Sequence, residues 1–459
     1  MTTTVPVRAE LFSPDRRATT IGIVMLISIV AFEAMGVGTA MPAVVDDLGA
    51  VAQYAWPFVA FMAAAVFGTV LVGRWCDRAG PRGALLASPL VFMAGLALAG
   101  SATTLVQLLG GRALQGLGAG GVGVAVYVLI AVVYPERARP AVFALTSSAW
   151  VLPTLIGPPI SGAVTEAWSW HWVFLGLIPL TLVATLLVVP AVRALTPPAD
   201  ARPARRWLVP AAFGAAVGVT ALSWAGEHVD GTAAVVAVVA LVVLVPSLSR
   251  LLPGGVVTAR RGISSVVLAR GMLAGTFFAA NSFVPLMLNG THGWSLTVAG
   301  LPLIAGSLGW SSASAWQGRH PDLSRSMLLR VGFALVATGV AGLLLVAPTW
   351  GPAWVAVPAW AIAGVGMGLG FSSISFLLLK QSEAGDVGFN TAAAQIADQL
   401  STALLIGLGG ALLSLLGTPP AALPVLLVAL VAIALVGTTV VAGRTAHTAM
   451  SPVPGRQST

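Results

Sequence analysis

The sequence predicts an all-α polytopic membrane protein with 14 transmembrane helices. Only 8% of its 459 residues are charged, 57% are hydrophobic, and the mean hydropathy is +0.94. A soluble domain usually carries about 25% charged residues, so this chain lacks the polar side chains that a water-exposed surface needs. Its apolar residues are grouped into long runs, and its basic residues fall between those runs on alternate sides.

Each apolar run is long enough for one membrane crossing, because a helix needs about 20 apolar residues to span ~30 Å of hydrocarbon. The backbone polar groups must be satisfied inside the lipid, so each run is predicted to be helical. An even number of crossings places both ends of the chain on one side. The predicted spans are 19–42, 54–73, 84–102, 107–133, 142–165, 171–192, 207–226, 232–249, 263–288, 296–316, 327–348, 353–379, 389–415 and 420–443.

The basic residues predict the orientation of these helices. Of the 23 Lys and Arg residues, all except Arg112 and Arg270 lie in or beside the loops and tails of one side. By the positive-inside rule we expect both termini in the cytoplasm and the protein in the inner (cytoplasmic) membrane. The net charge of +8 therefore reflects topology, and we expect no nucleic-acid partner. The opposite loops carry only acidic charges, namely Asp46, Asp47, Glu166, Glu227 and Asp230.

Two sequence features recur at nearly the same offset. The pattern Gly-Arg-x-x-Asp begins at Gly73 and again at Gly318, 245 residues later (318 minus 73). Glycine-rich stretches begin at Gly116 and Gly364, 248 residues apart (364 minus 116). This repeat predicts two six-helix bundles whose interface holds a substrate site near the bilayer midplane. The predicted parts are an N-terminal bundle in 1–195, two inserted transmembrane helices in 196–260, a C-terminal bundle in 261–445 and a cytoplasmic tail in 446–459.

Three motifs resemble those of the major facilitator superfamily, and within it the fourteen-helix drug:proton antiporters. The loop after the second span resembles the superfamily signature, with Gly73, Asp77, Arg78, Gly80 and Arg82 at its positions. The stretch from Arg112 to Gly120 resembles the fourth-helix motif. The fifth-helix motif associated with antiporters is matched by Gly157, Pro158 and Gly162. The resemblance covers nearly the whole chain. It departs from the fourteen-helix pattern in the first helix, where Glu33 stands in place of an Asp-containing motif.

The resemblance implies a gating role for Asp77 and its neighbours, with Asp322 in the second, weaker copy. The alternative is that the arginines of this motif only anchor the topology. Gly157 and Pro158 are expected to bend the fifth helix and form a flexible seam between the halves. The alternative for this pair is a static kink.

Two carboxylates inside the spans are the candidate proton sites. Glu33 lies in the middle of the first span, where an ionised carboxylate costs roughly 2.5–3.5 kcal/mol. Such a group can alternate between its protonated and charged forms, or it can remain a protonated structural residue. Asp398, in the thirteenth span, is either a second proton site or a contact for a cationic substrate. Its structural alternative is a hydrogen bond to Gln395, Gln399 or Ser401.

Two arginines inside the spans need partners or access to water. Arg112 cannot lose its proton, and Glu33 is its expected partner. The resemblance implies that Arg112 takes part in proton coupling, while the alternative is that its side chain extends to the membrane surface. That alternative explains Arg270 equally well.

The spans contain many aromatic and few polar residues, which favours a hydrophobic or cationic small molecule as cargo. We expect Tyr127, Trp150, Phe278, Trp310 and Arg270 to line the cavity. The alternative for each aromatic residue is a position facing lipid.

The absence of one motif limits the possible energy sources of the protein. Lys380 is the only lysine, and no Gly-x-x-x-x-Gly-Lys-Ser/Thr loop is present, so an ATP site of that kind is excluded. We expect no enzymatic activity, no metal site and no cofactor apart from a proton gradient. The sequence therefore predicts a monomeric drug:proton antiporter in the lipid bilayer that exports hydrophobic drugs or metabolites by alternating access. The alternatives are a lipid or lipid-precursor exporter of the same fold, and a non-transporting membrane receptor or scaffold.

Overall fold

A computed structural model of the protein describes residues 11–193, 206–383 and 386–445. The predicted tail 446–459 and the predicted boundary between 195 and 196 lie outside these residues. Within the described residues, fourteen helices are long and apolar enough to cross a membrane, which confirms the predicted fold class. In chain order, α1 to α14 are Arg17–Asp47, Val51–Ala79, Pro81–Gly100, Leu105–Val133, Ala141–Ala167, His171–Arg193, Leu208–Gly226, Gly231–Leu251, Ile263–His292, Leu296–Gly318, Arg325–Leu343, Ala353–Gln381, Val387–Leu416 and Pro419–Arg444.

The α5 span is made of two helical segments. These are Arg139–Ser148 and Val151–Ala167. The interruption therefore falls before Val151, whereas the predicted bend at Gly157 and Pro158 lies inside the second segment. Pro153 lies in the first turn of that segment, where a missing N–H group breaks no helical hydrogen bond.

Other spans are also composite. Short helices, His171–Leu175 and Leu296–Ala299, begin α6 and α10. A π-helical turn, Gly437–Val441, lies near the end of α14.

The helix bounds of α11 differ from the predicted ones. The predicted span is 327–348, but the helix is Arg325–Leu343. The apolar sequence continues to Ala347, while the backbone already turns after Leu343 and reaches Pro348. Hydropathy alone does not separate a helix from the apolar turn that follows it.

Successive helices alternate in direction, so the two ends of the membrane bundle can be named from the residues they carry. The terminal face contains the beginning of α1 at Arg17 and the end of α14 at Arg444. The far face contains the loops with Asp47, Glu166 and Glu227.

Residues 17–193 and 263–444 pack in the same order. In the first set α4 packs on α2 and α3, and α1 packs on α5 and α6. In the second set α12 packs on α10 and α11, and α9 packs on α13 and α14. These two sets are called the N-half and the C-half below.

Glycines allow the central helices of each half to approach closely. A Cβ atom on Gly116 of α4 would meet the backbone oxygen of Phe61 on α2. A Cβ atom on Gly364 of α12 would likewise meet the backbone oxygen of Gly306 on α10. The offsets are 248 (364 minus 116) and 245 (306 minus 61), the same as those of the sequence repeat. Small residues at such contacts let membrane helices pack backbone to backbone.

The hairpin of α7 and α8 lies outside the two halves. Its helix α7 packs on both α2 and α13, and α8 packs on α7. An apolar cluster joins Val66 of α2, Ala212 of α7 and Leu400 of α13. The inserted hairpin therefore contacts both halves.

We expect Gly116→Ala to destabilise the protein by about 1–3 kcal/mol, because the added methyl group collides with the backbone of α2. Gly123→Ala is the matched control on the same helix, since nothing lies within 4 Å of a Cβ atom there. The control should be neutral or slightly stabilising because alanine favours the helix. Thermal unfolding in detergent measures both, and equal melting temperatures would contradict the close contact.

Candidate functional site

The first part of the site is an ion pair between α1 and α4. Arg112 Nη1 donates a hydrogen bond to Glu33 Oε1, and both residues are buried, with 2% and 0% exposure respectively. Arg112 also donates from Nε to the backbone oxygen of Pro57 (3.1 Å) and from Nη1 to Gln115 Oε1 (2.8 Å). Its guanidinium lies 4.5 Å from the ring centroid of Phe61. The structure thus brings together the two residues that the sequence suggested as partners.

The second carboxylate oxygen of Glu33 is a free acceptor. Among the described residues, Glu33 Oε2 has no hydrogen-bond partner although it is fully buried. It is therefore an atom at which a proton can bind. If Glu33 becomes neutral, Arg112 keeps two oxygen acceptors and an aromatic face, which lowers the cost of leaving its charge in the membrane.

The second part of the site is an ion pair between α9 and α13. Arg270 Nε donates to Asp398 Oδ2 at 3.2 Å, and each side chain is 16% exposed. The Arg270 guanidinium lies 3.4 Å from the ring centroid of Phe371 on α12. Arg270 is thus paired inside the bundle, and the alternative of a side chain extended to the membrane surface does not describe it.

The hydrogen bonds proposed between Asp398 and its own helix are replaced by this pair. Gln399 Oε1 is buried without a partner among the described residues. Ser401 instead packs close to Gly271 on α9. The sequence did not identify Arg270 as the partner of Asp398.

The two ion pairs lie at different depths. Arg112 is seven residues into α4 (112 minus 105), counted from the far face. Arg270 is seven residues into α9 (270 minus 263), counted from the terminal face. At 1.5 Å per residue each lies roughly 10 Å from its face. The sealed N-half pair is therefore closer to the far face, and the partly exposed C-half pair is closer to the terminal face.

Aromatic side chains surround the C-half pair. The ring of Trp310 lies 5.2 Å from that of Phe371 and 6.1 Å from that of Phe278, measured between centroids. Phe277 stacks on Trp360 at 4.9 Å behind this layer. Phe278 and Trp310 are half-buried, and they are linked to the Arg270 ion pair through the ring of Phe371.

The other expected lining residues come from the N-half. Tyr127 on α4 is 55% exposed and stacks on Phe143. Trp150 is 38% exposed at the interruption of α5. The cavity-lining role of Tyr127 and Trp150 remains a prediction.

The loop motif forms a local arrangement at the terminal face. Asp77 lies 3.7 Å from Arg74 on the same helix and is half exposed, and Arg78 and Arg82 are exposed. Gly80 has a φ of +75°, which favours glycine at the turn between α2 and α3.

Two further residues of the loop motif and its second copy, Gly73 and Asp322, have other surroundings. Gly73 would place a Cβ atom 3.7 Å from Val124 on α4, and Asp322 is exposed in the loop after α10. The gating role of the loop motif remains a prediction.

The fifth-helix motif lies against the C-half. A Cβ atom on Gly162 would lie 2.6 Å from the backbone nitrogen of Thr297, and one on Gly300 would lie 3.2 Å from the backbone of Pro158. Gly157 faces α1 within its own half. Two of the three motif residues therefore lie at the contact between α5 and α10.

Glu166 fastens this contact at the far face. Its Oε1 accepts a hydrogen bond from the backbone nitrogen of Leu296 (2.5 Å), and its Oε2 accepts one from Thr297 Oγ1 (2.5 Å). A carboxylate is a strong acceptor, and here it satisfies the first turn of the facing helix. The sequence had identified Glu166 only as an acidic loop residue.

A second far-face contact joins α2 to α9, where Tyr54 donates to the backbone oxygen of Ser282 at 2.7 Å. Ser307 on α10 donates to the backbone oxygen of Thr154 on α5 at 3.1 Å, near the middle of both helices. These bonds hold the halves together from the midplane to the far face. Among the described residues, no group of three or more His, Cys, Asp or Glu side chains is placed to bind a metal ion.

Comparisons with known proteins all point to one family of transporters. The profile described as Major Facilitator Superfamily matches residues 23–406. An uncharacterized MFS-type transporter of Mycobacterium tuberculosis is 29% identical over 369 residues, covering 77% of this chain and 53% of the relative. The chain thus spans about half the length of that relative. Multidrug resistance protein 3 of Bacillus subtilis is 25% identical, with coverage of 77% and 70%.

A solved structure shares the fold at low sequence identity. The crystal structure of a POT family transporter in complex with a thioalcohol-conjugated peptide superposes with a TM-score of 0.69. It covers 92% of this chain and 95% of the other at 14% identity.

We expect the buried ion pair to be strongly coupled. Arg112→Met should destabilise the protein by about 3–5 kcal/mol, because it leaves a buried carboxylate without its partner. Adding Glu33→Gln to that variant should restore part of the loss. Glu33→Gln alone should destabilise the protein less than Arg112→Met, because Arg112 keeps Pro57 and Gln115 as acceptors. Thermal unfolding of the single and double variants measures the coupling.

Glu136, whose side chain is 91% exposed and lies 3.8 Å from Arg139, is the control for this cycle. Neutralising Glu136, which belongs to a solvent-exposed ion pair, should leave the melting temperature unchanged. Additive losses for Glu33 and Arg112 would mean that the two side chains do not act as a pair.

We expect Glu166→Ala to open the far face. Hydrogen bonds to charged groups contribute about 1.5–3 kcal/mol each, so the open population should rise at least tenfold. The measurement is the rate at which an impermeant thiol reagent, applied at the far face, modifies Ser307→Cys in a Cys76→Ala background. Asp46→Ala, which removes an exposed far-face carboxylate, is the control and should not change the rate. An unchanged rate in Glu166→Ala would remove Glu166 from the closure.

Proposed function

The chain belongs to the major facilitator superfamily of transporters, and from this premise we propose that it is a drug:proton antiporter. It exports hydrophobic small molecules by alternating access and uses the proton gradient as its energy source. The sealed Glu33–Arg112 pair, with a free acceptor on Glu33, is the observation that carries this proposal.

The proton step takes place at Glu33. A proton that binds Oε2 neutralises the carboxylate and weakens its attraction to Arg112, while Pro57, Gln115 and Phe61 continue to hold the guanidinium. The contact between α1 and α4 therefore has a charged, tight form and a neutral, looser form. An antiporter needs an element of this kind, whose equilibrium responds to the proton.

The cargo binds near the Arg270–Asp398 pair. The half-buried rings of Trp310 and Phe278 provide an apolar surface, and the exposed Tyr127 of the N-half is expected to complete it. A cationic cargo competes with Arg270 for Asp398 and for the face of Phe371. This arrangement supports hydrophobic, aromatic or cationic molecules as substrates.

The direction of transport follows from the charge distribution. The terminal face holds the basic loops and faces the cytoplasm under the positive-inside rule, which assigns the protein to the inner membrane. Protons then enter from the far face as cargo leaves the cell. The Bacillus subtilis relative is named as a multidrug resistance protein, which is consistent with such cargo.

We expect an imposed proton gradient to drive accumulation of a lipophilic cationic dye in proteoliposomes. Glu33→Gln should abolish gradient-driven accumulation, because the amide cannot take up the proton. Glu136→Gln, at an exposed carboxylate of the terminal face, should transport like the unmodified protein. The readout is dye fluorescence at matched protein density.

Other outcomes select other functions. Accumulation that survives in Glu33→Gln but fails in Asp398→Asn would move the proton site to the C-half. Movement of lipids without movement of dyes would favour the lipid exporter. Absence of any flux would favour a receptor or scaffold.

A further inference from the structure

The turn between α7 and α8 carries a carboxylate that contacts both halves. Glu227 follows the end of α7 at the far face, and its Oε2 accepts a hydrogen bond from Trp56 Nε1 on α2 at 2.8 Å. Its backbone oxygen accepts from Ser414 Oγ on α13 at 3.2 Å. A Cβ atom on Gly410 of α13 would lie 3.1 Å from Glu227 Oε1. One residue of the inserted hairpin thus bridges the N-half and the C-half.

Glu227 lies beside a close contact of the two halves. A Cβ atom on Gly410 would lie 2.5 Å from the Cβ atom of Ala55, which precedes Trp56. Tyr54 donates its hydrogen bond to Ser282 of the C-half from the same turn of α2. The Glu227 carboxylate is half-buried beside this contact, and parting of the halves here would expose it further.

The charged groups around Glu227 come from its own loop. His228 stacks on Trp224 and contacts its backbone oxygen at 2.9 Å, and Asp230 caps α8 by accepting from the backbone nitrogen of Ala233 at 2.6 Å. The neighbours on α13, Gly410 and Ser414, are uncharged. On α2 they are Ala55 and Trp56, also uncharged, and the titratable residue beside them in the chain is Tyr54.

We propose that Glu227 is a second proton-binding site, through which the inserted hairpin links closure of the far face to proton uptake from that side. This inference rests on the proposed alternating-access antiport. It also gives a function to α7 and α8, which have no counterpart in the two six-helix halves.

The direction of the effect follows from burial. Burial raises the pKa of the Glu227 carboxyl group above its ordinary value, and the Trp56 hydrogen bond and His228 oppose this only in part. When the halves part, the carboxyl group is exposed and its pKa returns toward the ordinary value. The closed state therefore binds the proton more tightly than the open state. Protonation stabilises closure at low pH, and that stabilisation is lost as pH rises through the raised pKa of the closed state.

This direction suits a transporter that takes up protons from the far side. A proton captured by the exposed carboxyl group in the open state favours closure of the same face. The Trp56 bond survives protonation, because the carbonyl oxygen of a neutral carboxyl group still accepts. The hydrogen bond from Trp56 positions the Glu227 side chain, and the proton removes the free-energy cost of burying its charge.

The test measures the conformation of the far face directly. Spin labels on Val51→Cys and Thr418→Cys, in a Cys76→Ala background, report the distance between exposed far-face positions of the two halves. Distance distributions from double electron–electron resonance are recorded over a pH series. We expect the open population to increase as pH rises, with a midpoint above the ordinary range of a glutamate.

Three variants isolate the Glu227 carboxyl group. Glu227→Gln keeps an acceptor for Trp56 but carries no charge, so its far face should stay closed across this transition. Trp56→Phe removes a bond that favours the charged form, so the transition should move upward by roughly one pH unit or less. Asp46→Asn, at an exposed far-face carboxylate, should reproduce the profile of the labelled parent.

The outcomes separate this inference from the proposed function. A parent that opens with pH and a Glu227→Gln variant with the same profile would overturn the role of Glu227 and leave the antiporter intact. Opening that increases at low pH would also overturn it. A parent whose far face never opens would contradict the alternating-access proposal as well.

Discussion

A charged side chain in the hydrocarbon region is tolerated only where another protein group compensates its charge, and the central arrangement of this protein depends on that requirement. Arg112 cannot discharge, so Glu33 must accompany it, and Pro57, Gln115 and Phe61 must be positioned to hold it whenever Glu33 is neutral. Each half carries one member of its ion pair on its first helix, acidic in α1 and basic in α9. Each pair is neutral overall, so the helices around it can remain apolar.

The same requirement separates the two tasks of a coupled transporter. The N-half pair is fully buried and lies toward the far face, which suits a group whose protonation alters helix packing. The C-half pair is partly exposed, is surrounded by aromatic rings and lies toward the terminal face, which suits contact with a cargo molecule. The close glycine contacts of Gly116 and Gly364 hold α4 and α12 firmly within their halves. Motion is then concentrated at the contacts between halves, where individual hydrogen bonds such as those of Glu166 decide the closed state.

The sequence predicted the number of helices, the repeat and the Glu33–Arg112 pair, since hydropathy and unavoidable charge pairing are local properties. It placed the end of α11 too late, because apolar residues fill the turn after Leu343, and it did not predict the interruption of α5 before Val151. The Arg270–Asp398 pair depends on the packing of helices whose charges are 128 residues apart. The sequence could have suggested the pair from the depths of Arg270 and Asp398 in the membrane, since both residues lie within about three turns of the terminal face. Glu166 and Glu227 could not be assigned because a loop carboxylate has no readable partner until the contacts between halves are known.

Glu33 and Glu227 differ in what their protonation does. A proton on Glu33 weakens an ion pair inside the N-half, whereas a proton on Glu227 removes the cost of burying a carboxylate between the halves. Because Glu227 lies at the surface, it meets far-side protons first and can favour closure before the buried carboxylate responds. Glu166 fastens the same face through its bonds to Leu296 and Thr297 of the C-half. Two carboxylates from different elements, one on α5 and one after α7, therefore favour the same closed state.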